Sequence, residues 1–367
     1  MSTPKLILVI GATGAQGLAV IDALLRRDTN GNVSPYSVRA LTRDPAGQRA
    51  LELSARGVEC VKGMFHFLIV VLYFAKPSAG SFEDQEAVSK ALEGVYGVWV
   101  NTDGFTVGEI REIYAGMLIF EAAKRSKSLR HYVWSSLPYE SKLGGFQPQY
   151  RAGHMNGKGL VADWLRSQTS TVSNDGLTWT IVETLAYTEM LACGLFEPLN
   201  VRTDGTVVFA APAGHARVPL LALKDLGWWA RYTFDHRAET SGQDLAIGSH
   251  VVSWDEIAKT FTKVTGKPAV YKAQSVEEWW TNFDDGVNRF IGTGSMTVKQ
   301  NFSGFWNTFA DELVPRDMDW IHSVHPGTLT LEDWMRENNY TGTEGTILKL
   351  REDHGDWGLN EEVIRKL

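Results

Sequence analysis

Tyr150, His154 and Lys158 fall four residues apart in the stretch YRAGHMNGKGLVADWLR, so on a helix the three side chains share one face. An imidazole titrates near neutral pH and can act there as a general acid, while a lysine one turn away supplies a fixed positive charge. The competing reading is that His154 only packs and hydrogen-bonds. Near the start of the chain, LILVIGATGAQGLAVIDALL sets Gly11, Gly14 and Gly17 directly after an apolar run and at the mouth of an amphipathic pattern. Gly11 lets the chain turn tightly, Gly14 lets backbone amides approach a pyrophosphate, and Gly17 permits close helix contact, with the helix N-terminus adding positive potential. Nucleotide binding is the chemistry this stretch points to.

The choice of nucleotide is read at the end of the next strand. An acid there holds a free ribose 2'-hydroxyl and repels a 2'-phosphate. Here VRALTRD carries Arg43 at that place, and a planar guanidinium forks onto phosphate. NADP(H) is therefore expected over NAD(H), with Arg39 on the same strand face as a helper. The alternative is a solvated surface pair between Arg43 and Asp44.

The elements that must position these groups alternate along the first half. Apolar runs at 5–10, 36–42, 58–62, 95–101, 130–135 and 178–183 predict strands, and helical patterns at 15–27, 45–56, 83–93, 107–127 and 150–168 lie between them. Repeated strand-helix-strand units predict an α/β fold, a doubly wound, mostly parallel sheet of the Rossmann type spanning residues 1–185. Residues 186–367 read as a smaller, interwoven α+β lobe for substrate or partner, with 243–249 returning as one more strand of the main sheet. Capping boxes at Ser253/Glu256 and Ser275/Glu278 start helices there, and Gly266 ends the first. Nine of the 13 tryptophans lie beyond residue 220; packing between C-terminal helices is the preferred explanation, and an aromatic substrate pocket the alternative.

Composition sets the outer limits. With 44% hydrophobic and 22% charged residues the chain can bury a large core. A net charge of -7, with basic residues scattered among acids, argues against direct nucleic-acid binding. Cys60 and Cys193 are too few for a disulfide framework and fit a reducing compartment, cytoplasmic or nuclear. The early apolar run, Leu6 to Ile10, is shorter than a signal-peptide core, and the reading calls for no metal and no membrane.

Taken together, GATGAQG, VRALTRDP, ALEGVYGVWVNTD, RHYVWSSL, GHMNGKG, TWTIVETLAYTEML and VSWDEIAKTFTKVTGKPAVY resemble the NmrA-like family, an atypical branch of the short-chain dehydrogenases common in filamentous fungi. The resemblance covers most of residues 5 to 275. It implies cofactor contacts at Gly11, Ala12, Thr13, Gly14, Ala15 and Gln16, at Arg39 to Arg43, at Asn101, Thr102 and Asp103, at Lys158, and at Tyr187, Thr188, Glu189 and Met190. In short-chain dehydrogenases a Tyr-x-x-x-Lys pair works with a strand-end serine: the lysine binds the nicotinamide ribose and the tyrosine passes the proton. Ser135 and Lys158 match parts of that set, but the tyrosine's own place is taken by His154, with Tyr150 or Tyr187 next in line as proton donor. The family divides between reductases, some in secondary metabolism, and NADP-binding regulators of transcription factors or enzymes. The resemblance therefore implies either an NADPH-dependent reductase of a carbonyl or enone on a small apolar metabolite, or a non-catalytic NADP(H) sensor with a protein partner.

One stretch departs from the family pattern. Between Gly63 and SFEDQEAV stands MFHFLIVVLYFAKPSAG, residues 64–80, where the family runs from a Gly-Asp pair straight into a helix. Its apolar core, about a dozen residues, is too short for a spanning helix, which needs about 20. Gly-Met-Phe codons can contain GTATGT, a common fungal intron donor, and Ala-Gly can supply a terminal AG, so the segment reads as a retained intron. Mature transcripts are expected mostly to lack these codons, and a chain without Met64 to Gly80 should be more soluble and bind NADPH at least as tightly. Retention in every mature messenger RNA would defeat this reading.

Overall fold

The computed structural model describes residues 3–27, 30–62, 81–192, 194–292, 294, 296–342 and 358–367. The 64–80 stretch, Gly63 and Cys193 lie outside them. Strands β1 (Lys5–Ile10), β2 (Tyr36–Thr42), β3 (Glu59–Lys62), β4 (Gly97–Val100), β5 (His131–Ser136) and β6 (Thr178–Glu183) alternate with α1 (Ala15–Leu25), α2 (Gln48–Ala55), α3 (Gln85–Ala91), the one-turn α4 (Gly104–Val107), α5 (Glu109–Arg125), the one-turn α6 (Glu140–Leu143) and α7 (Gly153–Leu165). Together with β10 (Gln243–Ala246) from the second half, these strands form one seven-stranded sheet in the order β3-β2-β1-β4-β5-β6-β10, every neighbouring pair parallel. This is the doubly wound α/β sheet that the strand-helix alternation predicts.

Strand alternation explains the layers. Ile7 and Val9 point into one core with Val20 and Leu24 of α1, whereas Leu8 and Ile10 point into the other with Phe120 of α5 and Val161 of α7. The predicted helix over 107–127 is divided by Gly108, whose φ of +84° separates α4 from α5.

The second half is woven into the first. Helix α8 (Leu223–Asp235) joins α1 on the first face of the sheet, and β10 adds beside β6, as the 243–249 pattern predicts. A small sheet of β7 (Asn200–Val201), β8 (Val207–Ala211) and β12 (Ala269–Ala273) and a pair of β9 (Val218–Leu220) with β11 (His250–Val252) carry α9 (Trp254–Thr265), α10 (Val276–Trp280), α11 (Val298–Ala310), α12 (Met318–Val324) and α13 (Leu331–Glu337). Both expected capping boxes form, Gly266 ends α9 at φ +74°, and Thr297 with Gln300 makes a third box at the head of α11. Trp254 and Trp279 are fully buried and both pack on the buried Trp306, with ring centroids 5.4 and 5.2 Å from it, which is the packing role.

His131 lies fully buried on β5, its Nδ1 2.7 Å from the Thr178 hydroxyl. Burial, reinforced by the Arg237 guanidinium, lowers its pKa from 6.5 to about 3. The unfolded chain then binds the extra proton first, so this group's contribution is complete above about pH 6.5 and declines as pH falls toward 3. Between pH 8 and pH 5 the loss from this site is about 2 kcal/mol. His131→Gln should lose about that much less stability than the unmutated protein over the same interval, as measured by urea unfolding at both pH values.

Candidate functional site

At the carboxyl ends of the parallel strands, where the sheet order reverses between β1 and β4, lies a cleft of about 1070 Å³. The loop after β1, the ends of β2 and β4, the segment after β6 and side chains of α7 and α11 all open onto it. Gly11 turns at φ +79°, and a Cβ there would stand 2.6 Å from the Asn101 carbonyl oxygen. A Cβ on Gly17 would come within 2.3 Å of the Gly11 oxygen, so α1 packs against its own loop only with glycine at both places. Gly14 is the N-cap of α1 and offers no side-chain acceptor, which leaves the first-turn amides of Ala15 and Gln16 turned to the cleft. Gln16 ties the loop to its surroundings: Trp99 Nε1 donates to its Oε1 at 3.1 Å, and its Nε2 donates to the Tyr187 hydroxyl at 3.0 Å.

Arg43 is exposed on the rim of this cleft. Asp44 directs its carboxylate to the amide of Ala46 at 3.0 Å. Arg39 does not join them. Although it shares a strand face with Arg43, four residues of strand separate the two by about 13 Å; its guanidinium donates to Glu59 Oε2 at 2.9 Å and to the carbonyls of Ala91 and Glu93, outside the cleft. Among the described residues two other guanidiniums reach the cleft: Arg49 of α2, which donates to the Thr13 carbonyl at 3.0 Å, and Arg111 of α5, which is forked onto Glu83 at 2.7 and 2.8 Å. Sequence reading misses both because a basic residue on a helix carries no signal of its own.

Lys158 is 7% exposed and its ammonium is held on three sides. It donates to Asn101 Oδ1 at 3.1 Å, to the Thr102 carbonyl at 2.8 Å and to Thr102 Oγ1 at 3.0 Å, and lies 3.4 Å from Glu112 Oε1. The Thr102 hydroxyl donates in turn to Glu112 at 2.7 Å. Glu112, on α5, is fully buried under Gly104 and Gly157, where Cβ atoms would stand 2.3 and 2.8 Å from its Oε2. Burial pushes the Glu112 carboxyl up and the Lys158 ammonium down, and each charge pulls the other back toward its ionised form. Nothing in the sequence singles out Glu112: an acid in the first turn of a helix reads as an ordinary dipole partner.

A family model described as the NmrA-like family matches residues 3–335. The chain belongs to the NmrA-like family. The NmrA-like family domain-containing oxidoreductase hkm9 of Aspergillus hancockii is 27% identical over 304 residues, 80% of this chain and 82% of that protein. FrzB of Cladobotryum sp, under the same description, is 28% identical over 292 residues, 76% and 78% of the two chains. The crystal structure of NmrA, a negative transcriptional regulator, in complex with NADP shares the fold with a TM-score of 0.65 at 20% identity, covering 92% of this chain and 95% of that one.

Within this NmrA-like cleft the remaining expected residues separate into two groups. Asn101, Thr102, Asp103, Tyr187 and Met190 line it, as do His154 and Lys158. Tyr150 does not. The helix expected over 150–168 begins only at Gly153, because Arg151 and Ala152 are extended and Tyr150 closes a separate 3-10 turn, Pro148–Tyr150. Its hydroxyl donates to Asp311 at 2.6 Å instead. Ser135 is buried within β5 with no partner for its hydroxyl among the described residues, and its neighbour Ser136 bonds the Lys158 carbonyl at 3.3 Å. Thr188 pairs with His250 at 3.3 Å, and the Glu189 carboxylate accepts from the Leu223 amide at the head of α8 and from Trp334, so both anchor the C-terminal lobe. His154 is buried among Phe105, Phe302 and Phe305 at ring distances of 4.7, 5.2 and 6.2 Å. Burial lowers its pKa from 6.5 to about 4, so near pH 7 it is a neutral imidazole and not the charged acid that its type suggests.

Removing one member of the buried ion pair strands the other. Glu112→Leu should destabilise the protein by about 3 to 5 kcal/mol, whereas Glu112→Leu with Lys158→Met should recover most of that loss. Urea midpoints of the single and double variants measure this, and a double variant less stable than the single would show that pairing is not what holds the lysine there.

Proposed function

We propose that the cleft binds NADP(H) and that the protein is an oxidoreductase acting on a carbonyl or conjugated carbonyl of a small, fairly apolar metabolite. The observation that carries this reading is a buried ammonium and an imidazole on one helix, opening onto the same cleft as an uncapped glycine loop. The residues present fit the dinucleotide: first-turn amides of α1 for the pyrophosphate, Arg43 with Arg49 for the 2'-phosphate, and Lys158 for the nicotinamide ribose. When bound, the nicotinamide supplies or accepts the hydride. Phe105, Phe302 and Phe305 give the substrate an apolar wall. The Tyr187 hydroxyl accepts from Gln16 and keeps its own proton for donation; burial raises its pKa to about 12, still low enough to protonate an alkoxide. The family and the fungal relatives described as oxidoreductases support this reading; a place in secondary metabolism is part of the same proposal. We place its action in the cytoplasm or nucleus on the two-cysteine composition, which fits a reducing compartment; no helix of the described residues is long and apolar enough to cross a membrane.

A second reading, an NADP(H) sensor that binds a transcription factor or another protein, is favoured by His154 standing where short-chain dehydrogenases carry tyrosine, and by the likeness to NmrA, a negative transcriptional regulator. One measurement tests the cofactor both readings share, and a second decides between them. Arg43→Ala should weaken NADPH binding by about 1.5 to 3 kcal/mol and leave NADH almost unchanged, the range for hydrogen bonds to a charged group; equal losses would remove the phosphate role. NADPH consumption at 340 nm with a panel of ketones and enones should show turnover that falls about 100-fold in His154→Phe, with a similar loss in Tyr187→Phe. Tight NADPH binding with no turnover on any carbonyl favours the sensor.

A further inference from the structure

His154 is the second residue of α7, so its backbone N–H lies in the first turn and has no acceptor within the helix. The N-cap residue is Ala152, which has no side-chain acceptor to offer. The amide of Asn301, from α11 of the C-terminal lobe, fills that place: its Oδ1 lies 3.3 Å from His154 N. The same side chain faces the imidazole, with Oδ1 3.1 Å and Nδ2 2.8 Å from Nδ1. The backbone donor decides which way the amide points, because the reversed amide would set two N–H donors against each other and leave the buried His154 N–H unsatisfied. With oxygen toward the backbone, the shorter contact to Nδ1 is the Asn301 NH₂ at 2.8 Å, which donates, and Oδ1 at 3.1 Å is the competing acceptor for an Nδ1–H. The shorter contact favours Nδ1 presenting its lone pair, with the ring proton on Nε2.

We propose that Asn301 locks His154 as the neutral Nε2–H tautomer, so that the imidazole offers a carbonyl oxygen in the cleft a fixed hydrogen-bond donor and does not cycle through imidazolium. The role in the cleft rests on the reductase reading above; the tautomer lock does not. Asn301 is well placed to enforce it, being buried and set one turn into a helix whose start is held by the Thr297–Gln300 capping box. The surroundings also disfavour a second charge. Burial opposes protonation most, the Asn301 oxygen at 3.1 Å favours it, and the positive charge of Lys158, one turn on along α7, opposes it, while Glu112 and Asp103 act on Lys158. Glu109 of α5, near Gly153, is paired with Arg151 at 2.7 Å, and α11 presents Asn301 and two phenylalanines. A neutral imidazole that donates without giving up its proton stabilises developing negative charge on oxygen, and the proton that completes reduction then comes from Tyr187. Asn301 is thus a positioning residue, acting through His154.

The test is nitrogen NMR on the full chain labelled with 15N at histidine, without ligand, using His154→Gln to assign the resonances. Nδ1 of His154 should appear as an unprotonated, pyridine-like nitrogen and Nε2 as protonated at both pH 5.5 and pH 8. An Nδ1–H tautomer, or an imidazolium at pH 5.5, overturns the proposal. Asn301→Asp, nearly isosteric, keeps the acceptor for the backbone but can no longer donate; it should move the proton to Nδ1 and shift the titration of His154 upward by more than tenfold in proton affinity. An unchanged spectrum in that variant overturns the lock. On any carbonyl that is turned over, His154→Gln should retain at least ten times the turnover of His154→Phe, and Asn301→Asp should acquire a pH dependence between 5.5 and 8 that the unmutated protein lacks. Equal turnover in the Gln and Phe variants overturns the donor role. The predicted tautomer in a protein that reduces no carbonyl supports the lock and overturns the reductase reading.

Discussion

A lysine ammonium taken almost completely out of water is the constraint around which the cleft is built. A charge there is tolerated only if its three protons and its field are answered nearby, and the answers come from elements distant in sequence. The segment after β4 supplies Asn101 and Thr102, and α5 supplies Glu112. For Glu112 to reach the lysine it must lie under two backbone segments, which is why Gly104 and Gly157 carry no side chain where a Cβ would collide with its carboxylate. The division of α4 from α5 at Gly108 belongs to the same arrangement, since it starts α5 afresh close to the cleft. The helix carrying Lys158, the loop facing it and the glycines between them form one mutually dependent unit.

The cleft has two unlike sides. The glycine loop, the ends of β1 and β2 and the guanidiniums of Arg43, Arg49 and Arg111 make a polar wall from the first half of the chain. On the other side, α11 brings Phe302 and Phe305 against His154, and Phe105 of α4 completes an aromatic enclosure. That enclosure makes the imidazole neutral by excluding water, and Asn301 gives it a direction. Because β10 returns to the main sheet beside β6 and the larger core runs on into the C-terminal helices, the lobe that contributes α11 is bound to the sheet through shared packing and not through a single linker. Such a connection holds side chains from the two halves in register across the site.

Local rules make much of the scaffold legible. Short apolar runs separated by amphipathic helices specify buried parallel strands, the right-handed crossover orders them, and a glycine that must adopt positive φ or admit a close neighbour marks the nucleotide loop. These effects act within a few residues or follow from chain chirality. The sheet, the loop at Gly11 to Gly17, the rim position of Arg43, both capping boxes and the return of 243–249 are accordingly readable from the order of residues alone.

The partners within the site are not readable in that way, because each depends on which faces meet after packing. Arg39 and Arg43 share a strand face, yet one meets Glu59 and the other the cleft, since a strand face extends farther than a binding site. Spacing alone places Tyr150 beside His154, but two extended residues interrupt the helix and Asp311, 161 positions later, takes its hydroxyl. Glu112 finds Lys158 across 46 positions, and Asn301 finds His154 across 147. By itself the sequence determines that a dinucleotide loop, a lysine and a histidine exist on elements of known type. The protonation state of that histidine and the charge balance of that lysine follow from burial and from long-range neighbours, which come into being only when the two halves fold together.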